Sequence, residues 1–220
     1  MTFKTVACAV DRVVRVPAQA GAAAASRRAL SRRSQALLRS GARCGDDIYV
    51  SGTLGDARLA LEAIRGEWTL PQALRERACA RLHQPEPRVA LGQALRGLVT
   101  SAIDISDGLL GDLGHVLAAS GVGARLDAGA LVGRMACHGP ALDAVVPATH
   151  QLHCVLAGGD DYELAFTAPA DRREAVAAAA QRSATPVNRV GTITEAGGVQ
   201  VVDGQGTAIN GHWASFDHFS

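Results

Sequence analysis

The chain has 220 residues, 48% of them hydrophobic and 20% charged, with a formal net charge of +1. That length and balance suit one large globular domain or two small ones with a substantial core, and they exclude a disordered or fibrous chain. No uninterrupted apolar run is long enough to cross a bilayer, and no signal-peptide pattern opens the chain, so the expectation is a cytoplasmic protein that acts on neither membrane nor nucleic acid.

The small net charge hides an asymmetry. Of 22 basic and 21 acidic side chains, residues 1–43 hold nine and one, which leaves 13 and 20 for the rest. A basic head on an acidic body reads as a nucleic-acid arm, a transit peptide, or a segment foreign to the fold. Residues 17–34 are biased toward Ala, Arg and Ser. They favour a helix but offer few large apolar residues to anchor one. Residues 1–33 are therefore expected to be a poorly specified basic segment. The five cysteines, Cys8, Cys44, Cys79, Cys137 and Cys154, form no C-x-x-C pair and are expected to be reduced.

From Gly41 the pattern turns regular. A strand is expected over 47–51, then a Gly52–Asp56 loop feeding a helix with Leu59, Leu61 and Ile64 on its apolar face. Helices are expected over 71–82, with Pro71 in its first turn, and over 89–98, separated by the breaker Gln84-Pro85-Glu86-Pro87. A strand over 101–105 ends in the turn Ser106-Asp107-Gly108, and a helix over 109–119 stops at Ser120-Gly121. A strand over 123–126 follows. Residues 129–150 read only as a place for a short helix. Strands are expected over 152–156 and 162–167 about the turn Gly158-Gly159-Asp160-Asp161, then a helix over 169–182 and strands over 187–193 and 199–202. The alternation predicts an α/β (α+β layered) fold, a mixed sheet packed against helices.

Four constellations can carry chemistry. In Asp104-Ile105-Ser106-Asp107-Gly108, two carboxylates flank a hydroxyl at a strand-to-helix junction. Oxygen ligands suit Mg²⁺ and a helix start suits phosphate. Capping of the next helix by Ser106 or Asp107 explains the same residues equally well. In Gly158-Gly159-Asp160-Asp161-Tyr162-Glu163, three acids lie in four positions. They call for a cation, or form a solvated turn. Arg39, beside the Gly41 turn, suits forked bonding to phosphate, against the plainer reading of a surface arginine. The tail gathers His212, Trp213, Phe216 and His218, either to stack on a heterocycle or to plug the core.

Six segments recur in one order: residues 39–46, 48–57, 81–88, 102–109, 158–167 and 217–219. Together they resemble the thiamine-monophosphate kinase family, within the aminoimidazole-ribonucleotide-synthetase-like superfamily, over about residues 35–219. The resemblance implies that residues 34–220 form the C-terminal ATP- and substrate-binding domain. It implies Mg²⁺-dependent transfer of the ATP γ-phosphate to thiamine phosphate, giving thiamine diphosphate. It implies Asp104 and Asp107 as metal ligands, Arg39 and Ser106 as ATP contacts, and Asp160 and Phe216 as substrate contacts. No residue is implied as a general acid or base. The family's further metal-binding aspartates and its dimer interface belong to an N-terminal domain that residues 1–33 do not resemble. The alternative expectation is thus a C-terminal domain that folds without a complete catalytic centre.

Overall fold

The structure, a computed structural model, describes residues 36–209 and residue 211. The expectations for residues 1–33, Cys8, His212, Trp213, Phe216 and His218 lie outside these. Among the described residues, six strands form one sheet: β1 (Asp47–Ser51), β2 (Ser101–Ile105), β3 (Gly123–Asp127), β4 (Glu163–Ala168), β5 (Val187–Thr194) and β6 (Gly198–Val202). Their spatial order is β2-β4-β1-β5-β3-β6. All neighbours are antiparallel except β3 and β6, which run parallel. The helices are α1 (Asp56–Ile64), α2 (Gln72–His83), α3 (Val89–Ala94), α4 (Leu109–Ser120), α5 (Ala128–Val132), α6 (Pro140–Asp143), α7 (Ala148–Ala157) and α8 (Arg173–Arg182).

Strand alternation sorts the core into two clusters. Ile48 and Val50 of β1, Ile103 and Ile105 of β2, and Ala165 of β4 join one. Tyr49, Ala102, Phe166 and Ala168, their neighbours along the same strands, join the other. This period of two puts helices on both faces of the sheet. The larger cluster draws on α1, α2, α4, α5, α6 and α7, the smaller on α3 and α8. The buried members of the larger cluster include no aromatic ring, as the scarcity of aromatics implies. The smaller holds Tyr49 stacked on Phe166, ring centroids 5.2 Å apart.

Several expectations change, among them that for Ile64, which is exposed and not on the buried face of α1. Residues 152–156 are not a strand but the second half of α7, in which Gln151, Leu152, Cys154, Val155, Leu156 and Ala157 are all buried. A short apolar run does not separate a buried strand from a buried helix by periodicity. Packing of α7 against α4, α5 and α1 decides it. The helix expected over 89–98 ends at Ala94, and Gly97 follows in the left-handed region at φ 74°. No described helix is long and apolar enough to cross a membrane.

Asp46, at the mouth of β1, is buried. It accepts the Arg43 N–H at 2.9 Å and the Thr100 hydroxyl at 2.7 Å. The carboxylate of this Gly-Asp pair thus joins the loop before β1 to the start of β2.

Candidate functional site

Two loops meet at the ends of β2 and β4. The first, Ser106-Asp107-Gly108, links β2 to α4. The second, residues 158–162, links α7 to β4. Their backbones are bonded directly: the Asp160 N–H donates to the Ser106 carbonyl and the Tyr162 N–H to the Ile105 carbonyl, both at 2.9 Å. Glycine makes the approach possible. A Cβ on Gly159 would stand 2.6 Å from the Ser106 carbonyl oxygen. One on Gly108 would stand 2.9 Å from the Ala157 carbonyl carbon, and Gly108 also has φ 110°. Gly108→Ala is therefore expected to cost about 1–3 kcal/mol through strain and overpacking together. Thermal denaturation checks this; an unchanged midpoint would contradict the close contact.

The structure brings Asp104, Ser106, Asp107 and Asp160 to this junction. Asp104 pairs in register with Leu164 across β2 and β4. Alternation puts it on the opposite face from Ile103 and Ile105. Asp104, Ser106 and Asp107 are partly exposed, and Asp160 is exposed. The negative potential is concentrated here: burial raises the Tyr162 phenol, and the charges of Asp160, Asp107 and Asp104 raise it further. Asp160 and Tyr162 both sit in the left-handed region, at φ 68° and 51°. That is unusual for residues other than glycine. The carbonyls of Ile105 and Ser106 hold them there, and the Tyr162 hydroxyl donates to Asp160 at 3.3 Å.

The residue at the N-cap of α4 is Gly108, which has no side chain to cap the helix. The cap is reversed: Asp112, within the helix, accepts the Ser106 N–H at 2.9 Å and the Asp107 N–H at 3.0 Å on one carboxylate oxygen. Burial raises the Asp112 carboxyl, the two N–H bonds lower it, and Asp107 and Asp104 raise it again. Composition gave no hint of this role. The only signal was an acid one turn into a helix that follows two acids.

The three acids of the second loop separate into three roles. Asp160 faces solvent. Asp161 is 2% exposed, with one oxygen accepting the Gly55 N–H at 2.8 Å and the other without a partner. Glu163 is fully buried and receives Arg81 and Arg88. The cations that the acid cluster calls for are, for Glu163, the protein's own arginines, which also explains the arginines at the two ends of residues 81–88.

Burial pushes the Asp161 carboxyl well above the usual carboxylate range. A pKa raised in the folded state contributes stability that is full below the unfolded value, about 3.9, and is lost as pH rises through the folded value. Asp161→Asn cannot ionise. The stability of that variant relative to wild type is expected to improve steadily from about pH 4 upward. Urea denaturation at a series of pH values checks it; a constant difference would mean that Asp161 titrates normally.

Arg39 is not brought to the junction. It is exposed, with its carbonyl facing the Ser120 hydroxyl at 3.5 Å at the C-terminal end of α4. The loop lies at the other end of that 12-residue helix, about 18 Å away at 1.5 Å per residue. Phe216 lies outside the described residues.

A second set of ligand-type atoms lies between α1 and α7, where Glu62, His150 and Cys154 bring O, N and S within 4.8 Å of one another. Zinc ligands about 2.0 Å from a tetrahedral ion stand about 3.3 Å apart. Here Glu62 Oε2 and His150 Nε2 are only 2.6 Å apart. Arg58 takes the other Glu62 oxygen at 2.6 Å, and the Trp68 indole donates to Oε2 at 3.2 Å. Burial alone would raise Glu62, but His150 and Arg58 outweigh it and hold the carboxyl low. This is a satisfied ion-pair network and not a metal centre. Of the described cysteines, Cys44 is exposed and Cys79 half-buried. Burial pushes the Cys137 thiol up to about 12 and raises Cys154 as well.

The carboxylates and hydroxyl of the junction are hard oxygen donors, the set that suits Mg²⁺ beside phosphate. Asp104 makes no side-chain hydrogen bond to another described residue. A mixed sheet with helices on both faces defines the class, a layered α/β domain. The AIR synthase related protein, C-terminal domain family matches residues 43–204, and the chain belongs to it.

Its relatives narrow the class. The chain is 39% identical over 189 residues to the thiamine-monophosphate kinase of Escherichia coli K12, covering 84% of this chain and 56% of that protein. The crystal structure of the thiamine-monophosphate kinase of Stenotrophomonas maltophilia K279a superposes with a TM-score of 0.69 at 44% identity, over 80% of this chain and 55% of that one. The structure of AaThiL complexed with AMPPCP and TMP superposes with a TM-score of 0.62 at 26% identity, over 83% and 54%. A hydrogenase maturation protein, HypE of E. coli, shares the fold at 20% identity with a TM-score of 0.64. The chain thus spans about half the length of the relatives it matches.

Proposed function

We propose that this chain carries the ATP- and metal-binding part of a thiamine-phosphate kinase, which transfers the γ-phosphoryl of ATP to thiamine phosphate with Mg²⁺ and gives thiamine diphosphate. The observation that carries the reading is the junction itself. Asp104 near the end of β2, with Ser106 and Asp107 on the loop after it, flanks the loop that bears Asp160, to which Ile105 and Ser106 are backbone-bonded at 2.9 Å, in a chain similar to kinases of that name. Asp104 and Asp107 would hold Mg²⁺, which supplies charge neutralisation along the phosphates. Ser106 would bond a phosphate oxygen. Asp160, exposed and anionic, would attract the cationic ring of the acceptor, with Phe216 packing against it. Arg39, a helix length away, would meet a part of the nucleotide remote from the acids.

Phosphoryl transfer needs positioning and charge more than covalent help from the protein, so a site without a general base is coherent. The same reading places the reaction in the cytoplasm, and it does not extend the family's homodimer to this chain, since that interface belongs to the N-terminal domain.

Incubating the purified chain with ATP, Mg²⁺ and thiamine phosphate tests the reading, with chromatography to detect thiamine diphosphate. Product, abolished by omitting Mg²⁺, is the expected result. Nucleotide binding without product would assign this chain the binding arm alone. Neither product nor Mg²⁺-dependent nucleotide binding would sink the proposal.

A further inference from the structure

We infer that Asp112 is a positioning residue that holds the metal-binding loop and the substrate-binding loop in register through a continuous set of backbone hydrogen bonds. The inference rests on the reading of Asp104 and Asp107 as metal ligands.

The chain of contacts is short. One oxygen of Asp112 accepts the N–H groups of Ser106 and Asp107, at 2.9 and 3.0 Å. Those bonds orient the peptide units on either side of Ser106. The carbonyls of Ile105 and Ser106, in the same stretch, accept the N–H groups of Tyr162 and Asp160, each at 2.9 Å. Asp160 and Tyr162 both have left-handed backbone, at φ 68° and 51°, and an external constraint is what keeps such conformations populated. Asp112 is 5% exposed, on the first turn of a 12-residue helix anchored in the core by Leu109, Leu113, Val116 and Leu117. A rigid element thereby sets the position of one loop, and that loop sets the position of the next.

The chemistry accounts for an acid here. Placing a third carboxylate beside Asp104 and Asp107 is unfavourable electrostatically. A carboxylate is nevertheless the stronger acceptor for two N–H groups at once. Positioning needs an acceptor oxygen, whereas ligation of a metal needs the charge, and the amide of asparagine separates the two.

The experiment compares Asp112→Asn and Asp112→Ala with the wild-type 220-residue chain. Binding is read with Mn²⁺, a paramagnetic ion taken by the same hard oxygen donors as Mg²⁺, using electron paramagnetic resonance. Loop order is read from backbone amide exchange. Losing both bonds to a charged acceptor in Asp112→Ala should weaken Mn²⁺ binding about tenfold or more. Exchange at Ser106, Asp107, Asp160 and Tyr162 should accelerate by a similar factor, with β1 amides unchanged. Asp112→Asn should stay within about threefold of wild type on both readouts, because its side-chain oxygen still accepts.

A purely structural role would lower the melting temperature without this pattern of loss and rescue. If Asp112→Asn loses Mn²⁺ as severely as Asp112→Ala while its amides stay protected, Asp112 is itself a ligand and the inference is overturned. Unchanged exchange at Asp160 and Tyr162 in Asp112→Ala overturns the coupling. Should the alanine variant not fold, Asp112→Asn decides alone: retention on both readouts supports the inference, and loss on either one overturns it. A wild-type chain that binds no Mn²⁺ defeats the metal reading of the proposed function, and the exchange data still decide the register.

Discussion

Glu163→Ala is expected to destabilise the protein by about 3–5 kcal/mol, the cost of removing one partner from a buried ion pair. Glu163 is fully buried. Its Oε1 accepts Arg81 Nη2 and Arg88 Nη2, each at 2.6 Å, and its Oε2 accepts Arg88 Nε at 2.7 Å. The Ser51 hydroxyl also donates to Oε2. The arginines have little access to water, their side chains being 15% and 10% exposed. Removing the carboxylate leaves two guanidinium groups with water too scarce to replace it. Glu163→Gln keeps the shape and an acceptor, and is expected to lose less. Urea denaturation of the three proteins tests this; a loss under about 1 kcal/mol for Glu163→Ala would show that the cluster relaxes into water. Glu163 lies directly after the loop of Asp160 and Tyr162, so the same variants should also loosen that loop.

Asp104→Asn is expected to reduce Mn²⁺ or Mg²⁺-dependent nucleotide binding by at least about tenfold, since a metal-ligating carboxylate loses its charge there. Stability should change little, because Asp104 is partly exposed and makes no side-chain hydrogen bond to another described residue. Asp46→Asn is the contrasting control. It should cost about 1 kcal/mol of stability by weakening the bonds to Arg43 and Thr100, and leave metal binding unchanged. Calorimetric titration with a non-hydrolysable ATP analogue and Mg²⁺ checks both. Equal loss of binding in the two variants would remove the specific role of Asp104.

A third test of the electrostatics has the opposite sign to that of Asp161. The hydrogen bond from Arg173, outweighing burial and helped by Arg189, holds the Asp47 carboxyl below its usual range. A lowered pKa contributes stability that is present above the unfolded value and lost as pH falls through the folded one. Arg173→Ala should therefore lower stability above about pH 4 by the modest value of a half-exposed pair, with the difference from wild type shrinking as pH falls. Acid titration followed by circular dichroism checks it.

Much of this fold was legible in the residues alone. β2 occupies the predicted span, residues 101–105, because Ala102, Ile103 and Ile105 alternate onto the two faces of one buried strand. The acids at 104 and 107 and the hydroxyl at 106 were read as a cluster, and the tertiary structure keeps them at one loop. Sequence order also related residues 102–109 to residues 158–167, and the backbone bonds at 2.9 Å put the two in contact.

What the residues could not decide depends on neighbours distant in the chain. Residues 152–156 became a helix because α7 is buried on most of its circumference, which removes the amphipathic signal that separates helix from strand. The acids at 160, 161 and 163 look alike in sequence. Their different fates were set by what lies opposite each one: solvent for Asp160, the Gly55 amide for Asp161, and two arginines from residues 81–88 for Glu163. Arg39, implied by the resemblance as an ATP contact, lies a helix length from the junction, a separation that no residue pattern conveys. Asp112 went unnoticed because a cap placed after the helix start, reaching back to two N–H groups, leaves no residue pattern of its own. Local composition determined which donors exist; the sheet and α4 determined which of them share a site, because burial and hydrogen-bond geometry are properties of the folded contacts and not of the order of residues.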